Sequence, residues 1–158
     1  MARYGLNTIQ GGGTSQAITT TFKSNVTITA ATGGPVTRGR LVDVQVGPSG
    51  PPNATDCSIV YDISRCTTGL GTGTAATPVP VDNLSGACAS VGTTCLTAEP
   101  TITANSSLWS IALNQRSSIR VFFDQPLCWP AVNFSGLAVR ALSPTTTGTV
   151  NAQIYFDE

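Results

Sequence analysis

Acid–base and nucleophilic chemistry draws on a small set of side chains, and this sequence withholds most of them. It contains no histidine, so neither a Ser-His-Asp nor a Cys-His arrangement can be assembled. The one lysine, Lys23, adjoins Ser24. Adjacency in sequence does not make a Ser-Lys pair, and the plainer reading is a solvated lysine at a strand end. Glycoside hydrolysis needs two opposed carboxylates, whereas Asp43, Asp56, Asp62, Asp82, Glu99 and Asp124 stand isolated, outside any distinctive motif. The glycine-rich stretch Gly69-Leu70-Gly71-Thr72-Gly73-Thr74 lacks the Gly-Lys-Ser/Thr ending of a phosphate loop and the helix that should follow it. The expectation is a protein that is not an enzyme and that carries no cofactor and no catalytic residue.

The five cysteines are Cys57, Cys66, Cys88, Cys95 and Cys128. An odd number leaves at least one that cannot pair within the chain. Thiols are the default in a reducing cytosol, and later oxidation outside the cell would allow two local pairs, Cys57–Cys66 and Cys88–Cys95. Neither spacing matches a zinc pattern, and without histidine a zinc site would have to be cysteine-rich; no metal is expected. The triplets Asn53-Ala54-Thr55 and Asn133-Phe134-Ser135 fit the glycosylation pattern by chance in a chain so rich in Thr and Ser.

The chain has 158 residues, the size of one ordinary domain. Eight basic and eight acidic residues cancel, and charged residues make up only 10%, against about 25% in an average globular protein. A balanced charge with arginines scattered singly argues against nucleic acid, which needs a basic footprint. So few charges suit a surface covered by other protein, or one kept soluble by Thr and Ser. No run approaches the roughly 20 apolar residues of a membrane helix. The opening Met1-Ala2-Arg3-Tyr4-Gly5-Leu6-Asn7 has no apolar core of a secretory signal. Synthesis in a cytoplasm is therefore expected, with lysis as one way out.

The elements that would position these residues are short and extended. Threonine abounds, while leucine and glutamate are sparse, a composition for pleated strands rather than helices. Strands are predicted over 17–22, 25–30, 40–46, 57–63, 108–113, 118–123, 136–142 and 149–156, with Leu127-Cys128-Trp129 as a short piece before Pro130. In the 40–46 stretch Leu41 is out of phase with Val42, Val44 and Val46. Residues 66–76 read as a loop, 78–81 as extended around two prolines, and 82–98 as the one place for a short helix. Trp109 and Trp129 read as core residues. Gly11-Gly12-Gly13 marks 1–16 as a flexible arm, leaving 17–158 as a single domain. Tyr4 reads as unable to reach that core, so Arg3, Tyr4 and Leu6 become candidate contacts to a neighbouring subunit or capsid. The predicted class is an all-β sandwich, jelly-roll-like or immunoglobulin-like, with an extended N-terminal arm.

Several segments occur in a telling order. They are Ile63-Ser64-Arg65-Cys66-Thr67-Thr68, Gly71 to Pro78, Thr97-Ala98-Glu99-Pro100, Asn114-Gln115-Arg116, Gly136 to Pro144, and Thr147-Gly148-Thr149-Val150 before an acidic end. From Cys57 to Glu158 this order resembles small structural proteins of tailed bacteriophages and prophages, similar to capsid decoration (cement) proteins. Cys88, Cys95 and Cys128 depart from that pattern. The resemblance implies a β-sandwich on the outer surface of a virion, bound to the major capsid protein, often as a homotrimer at three-fold positions, and without catalytic residues. The arm would then lie across a neighbour or extend its sheet by strand addition. The competing expectation is a carbohydrate-binding module of a tail or head fibre for host recognition, which would expose Trp or Tyr in a cleft.

Overall fold

The computed structural model describes residues 1–10, 12, 14–31, 36–67, 69–145 and 147–158. Twelve strands form, and no helix is present among the described residues: β1 (Arg3–Asn7), β2 (Gln16–Ala17), β3 (Lys23–Thr29), β4 (Gly39–Pro48), β5 (Ser58–Thr67), β6 (Thr72–Ala76), β7 (Val79–Pro80), β8 (Val91–Ala98), β9 (Thr101–Asn114), β10 (Ile119–Trp129), β11 (Gly136–Leu142) and β12 (Thr149–Asp157). They make two antiparallel sheets packed face to face, a β-sandwich. The first runs β10-β4-β12-β1-β7, with β2 pairing the start of β12. The second runs β6-β8-β3-β11-β5-β9.

Period-2 alternation builds the core. Val150, Ala152, Ile154 and Phe156 of β12 all point inward, as their spacing predicts, and meet Val26, Ile28, Ile59, Tyr61, Ile63, Leu137 and Val139 of the second sheet. Trp129 is fully buried and packs edge-to-face on Phe156, ring centroids 5.4 Å apart. Its cross-strand partner is Gly39. A Cβ there would lie 1.8 Å from the indole, so only glycine leaves room for the ring. The phase conflict at Leu41 resolves as a bulge. Leu41 pairs Phe156 and Asp43 pairs Tyr155, so Val42 is the extra residue, and Leu41, Val44 and Val46 all reach the core.

Two expectations fail at the N-terminus. The flexible arm 1–16 is instead part of the domain: β1 lies inside the first sheet, between β12 and β7. Tyr4 and Leu6 are 4% and 0% exposed. The Tyr4 ring stacks on Phe156 at 5.7 Å, and its hydroxyl donates to the Gly86 carbonyl at 3.1 Å. Tyr4 thus does reach the core, and neither it nor Leu6 can contact a subunit or a capsid. Of the three, Arg3 alone is at the surface, paired with Asp157 at 2.8 Å. The alternation Tyr4-Leu6-Thr8, each buried, was the available signal, overshadowed by the triple glycine that follows. Gly11 and Gly13 lie outside the described residues.

Two more differences are smaller. No helix forms in 82–98. A turn at Asp82–Ser85, with Ser85 N–H on the Asp82 carbonyl at 2.9 Å, leads on to strand β8. The loop predicted for 66–76 contains β6, which pairs β8. Both segments are Thr-, Ser- and Gly-rich, so their local preference is weak and partner strands decide.

Candidate assembly edge

The side chains that might have carried chemistry are dispersed. The five cysteines are present as thiols. Cys57 and Cys66 sit at opposite ends of an extended strand, roughly 30 Å apart at about 3.3 Å per residue, far beyond the roughly 7 Å a disulfide spans between Cα atoms. Cys95 lies in β8, its thiol donating to the Thr14 carbonyl at 3.2 Å. Cys88 lies before that strand, beside Glu158. Strand geometry thus rules out the Cys57–Cys66 pairing, and Cys88 and Cys95 are likewise separate thiols. Burial pushes the Cys66 thiol up to about 12, and burial together with the Glu158 carboxylate pushes Cys88 up as well. No group of three potential metal ligands occurs among the described residues.

The carboxylates serve the backbone and the arginines. Glu99 accepts from the Ser24 N–H at 2.9 Å and the Ser24 hydroxyl at 2.5 Å. Glu158 accepts from the Ser90 hydroxyl at 2.5 Å and from the Ala89 and Ser90 N–H groups. Burial works to raise the Glu158 carboxyl, but these bonds outweigh it and hold it below its ordinary 4.5. Asp62, 3% exposed, receives Arg140 at 2.6 Å, Ser64 at 2.6 Å and Ser107 at 2.5 Å. Phe22 covers the Arg140 guanidinium at 4.5 Å. That is a structural tie across β5, β11 and β9, with its charge neutralised and its lone pairs occupied. Removing one member would strand a buried charge, at about 3–5 kcal/mol.

What the fold does expose is an edge. β9 and β10 each pair on one side only, β9 with β5 and β10 with β4, so both sheets end together on one flank of the sandwich. The turn between them is held firmly. Gln115 is 4% exposed; its N–H donates to the Cys57 carbonyl at 3.0 Å, and its side-chain amide donates to the Thr55 carbonyl at 2.9 Å. Arg116 pairs Asp56 at 3.1 Å. On the inner face of the two strands, Trp109, Ile111 and Leu113 and, from β10, Ile119, Val121 and Phe123 are only partly buried. Trp109 meets Phe123 edge-to-face at 6.3 Å. Trp109 thus belongs to the rim of the core, Trp129 to its centre.

The two edge strands differ in how they discourage pairing. β10 carries Arg120, Asp124 and Pro126, and its ladder to β4 is interrupted between Phe122 and Leu127; charges, proline and irregularity all blunt an edge. The fourteen residues of β9, Thr-Ile-Thr-Ala-Asn-Ser-Ser-Leu-Trp-Ser-Ile-Ala-Leu-Asn, include no charge and no proline. From Trp109 to Asn114 they keep unbroken register with β5, while before Trp109 the ladder shifts twice and Asn105 takes a positive φ of 54°. Such a strand presents a row of backbone donors and acceptors to whatever adds beside it. Sequence reading placed a strand at 108–113 but could not tell that it lies at an edge, because the alternation reports faces, not neighbours. Compared with protein-family models and with curated proteins, the chain matches none.

Proposed function

We propose that this chain is a non-enzymatic structural protein of a tailed-phage virion, which binds the outer capsid surface against the major capsid protein and stabilises it, working as a homotrimer. The observation that carries the reading is β9, a long, uncharged edge strand whose 109–114 stretch keeps unbroken register, on a chain with only 10% charged residues. A protein that worked alone in solution would be exposed to edge-to-edge association there. The occupant we assign to β9 is a different edge of the next copy of this chain, head to tail around a three-fold axis, because β9 laid on an identical β9 would close as a pair. Leu84, exposed beyond β7 at the opposite flank, then remains for the shell. Binding only the mature lattice would stabilise it by mass action.

The test is the mass of the protein in solution, alone and mixed with expanded shells or procapsids. Three copies are expected, with saturable binding to expanded shells. The double variant Ser110→Lys, Ala112→Lys puts charge on exposed positions of β9. It should fall to a monomer and bind shells at least tenfold more weakly while melting within a few degrees of wild type. A wild-type monomer that ignores every shell overturns the reading.

A further inference from the structure

The outward face of the first sheet carries a groove that the assembly edge does not use. Cross-strand pairing lines up its side chains in rows. Arg120, Gln45, Gln153 and Asn7 form one row across β10, β4, β12 and β1. Phe122, Asp43, Tyr155 and Gly5 form the next. A cavity of about 350 Å³ runs along Asn7, Gln45, Ser118, Asn151 and Gln153. It is continuous, through Asn7, Ile9 and Gln153, with a second hollow of about 560 Å³ against Tyr155 and Val79.

Three features of this face point to a ligand. First, Tyr155 lies over Gly5: a Cβ at position 5 would come 3.1 Å from the ring. Glycine lets the half-buried ring settle against the β1 backbone, leaving it as a platform in the hollow. The Gln153 amide donates to the Tyr155 hydroxyl at 2.7 Å and fixes the ring's outer end. Second, the side-chain oxygens of Asn7, Asn151 and Asp43 are buried without a hydrogen-bond partner among the described residues. Buried acceptors left unmade are costly and uncommon. Third, the charge here is internally cancelled. Arg120 places both Nε and Nη2 on one oxygen of Asp43, at 2.8 and 2.5 Å, and its guanidinium lies 4.7 Å from the centroid of Phe122. The groove thus offers side-chain amides and one ring, and the nearest ion pair, Arg120–Asp43, cancels its own charge.

We infer that this groove binds a neutral oligosaccharide. Sugar hydroxyls donate to the amide oxygens and accept from the amide N–H groups, and the apolar face of a pyranose covers Tyr155. An anionic ligand would find its arginine already engaged by Asp43.

Ligand-observed NMR and titration calorimetry with maltotriose, fully N-acetylated chitotriose and a panel of neutral bacterial O-chain fragments test this on the intact protein. Saturable binding of at least one neutral sugar is expected, at affinities of about 1 mM or better. Tyr155→Ala should weaken it by roughly tenfold or more, and Asn151→Ala by about threefold to tenfold. Gln45 is exposed, so Gln45→Lys leaves the fold intact and should block the groove. Gly5→Ser, which tilts the ring, should weaken binding while Tyr155→Phe retains most of it. The β9 double variant should bind the sugar as wild type does, which separates this inference from the assembly reading. No binding to any neutral sugar, binding confined to charged sugars, or binding indifferent to Tyr155, Asn151 and Gln45 would overturn it.

Discussion

Glu158 illustrates how single residues hold this fold. It closes the chain onto residues 89–90, while the backbone beside it bonds Ala2 at 2.9 and 3.0 Å. Because its folded value lies below the ordinary 4.5, the carboxylate contributes stability above that pH. The contribution disappears as pH falls through the folded value. Glu158→Gln should therefore cost about 1 kcal/mol at neutral pH. Its urea midpoint should also fall less steeply than that of wild type from roughly pH 5 downward. Parallel pH profiles would show that Glu158 does not carry this linkage. The thiols make a second residue-scale prediction. Since Cys66 is buried with its thiol pushed up to about 12 and Cys88 is also raised, neither should react with a thiol reagent at neutral pH before unfolding. Denatured protein should take up five equivalents, matching its five thiols, and reductant should leave the melting temperature unchanged. A shift in mass on reduction would reveal a disulfide and contradict this.

At the scale of elements, β1 decides what truncation does. Leu6 is fully buried and pairs Ile154 across the ladder. Leu6→Ala should cost about 2–5 kcal/mol, read as a lower urea midpoint at unchanged slope. Removing residues 1–16 takes out an interior strand and should unfold the domain, not merely weaken an attachment; a truncated chain with native cooperativity would contradict this. The bulge at Val42 shows the converse, an irregularity that improves packing. One extra residue turns a phase conflict in the sequence into three inward side chains, Leu41, Val44 and Val46. The tie of Gln115 to the segment before β5 likewise sets where β9 ends and β10 begins. It gives Asn114-Gln115-Arg116 a structural purpose.

For the whole molecule, the distribution of charge matters more than its sum. Half of the eight charges of each sign are spent on ties: Arg3–Asp157, Arg116–Asp56, Arg120–Asp43 and Arg140–Asp62. The flank that ends in β9 has no charge on that strand at all. The two exposed pairs, Arg3–Asp157 and Arg116–Asp56, add little stability each, and pairing halves the charges left to keep copies apart. The assembly prediction therefore belongs at this scale. At high salt, where surface charge is screened, association through β9 should persist, because it rests on backbone pairing and apolar cover. Dissociation on adding salt would point to a charged contact instead.

The all-β class, the strand at 149–156 with its four inward residues, the central place of Trp129 and the lack of any His-based catalytic group followed from the residues alone. Alternation, β-branched content and the missing histidine are local properties that no packing can reverse. Tertiary structure decided the rest. It drew β1 into the sheet, because Tyr4 and Leu6 gain burial only when β12 and β7 flank them. It separated Cys57 from Cys66 by extending the chain between them. It left β9 at an edge and gathered Asn7, Gln45, Asn151, Gln153 and Tyr155 onto one face. Those residues are scattered over nearly the whole chain, and only the pairing of β1, β4 and β12 makes them neighbours. Sequence spacing records which way a side chain points, not which strand lies beside it.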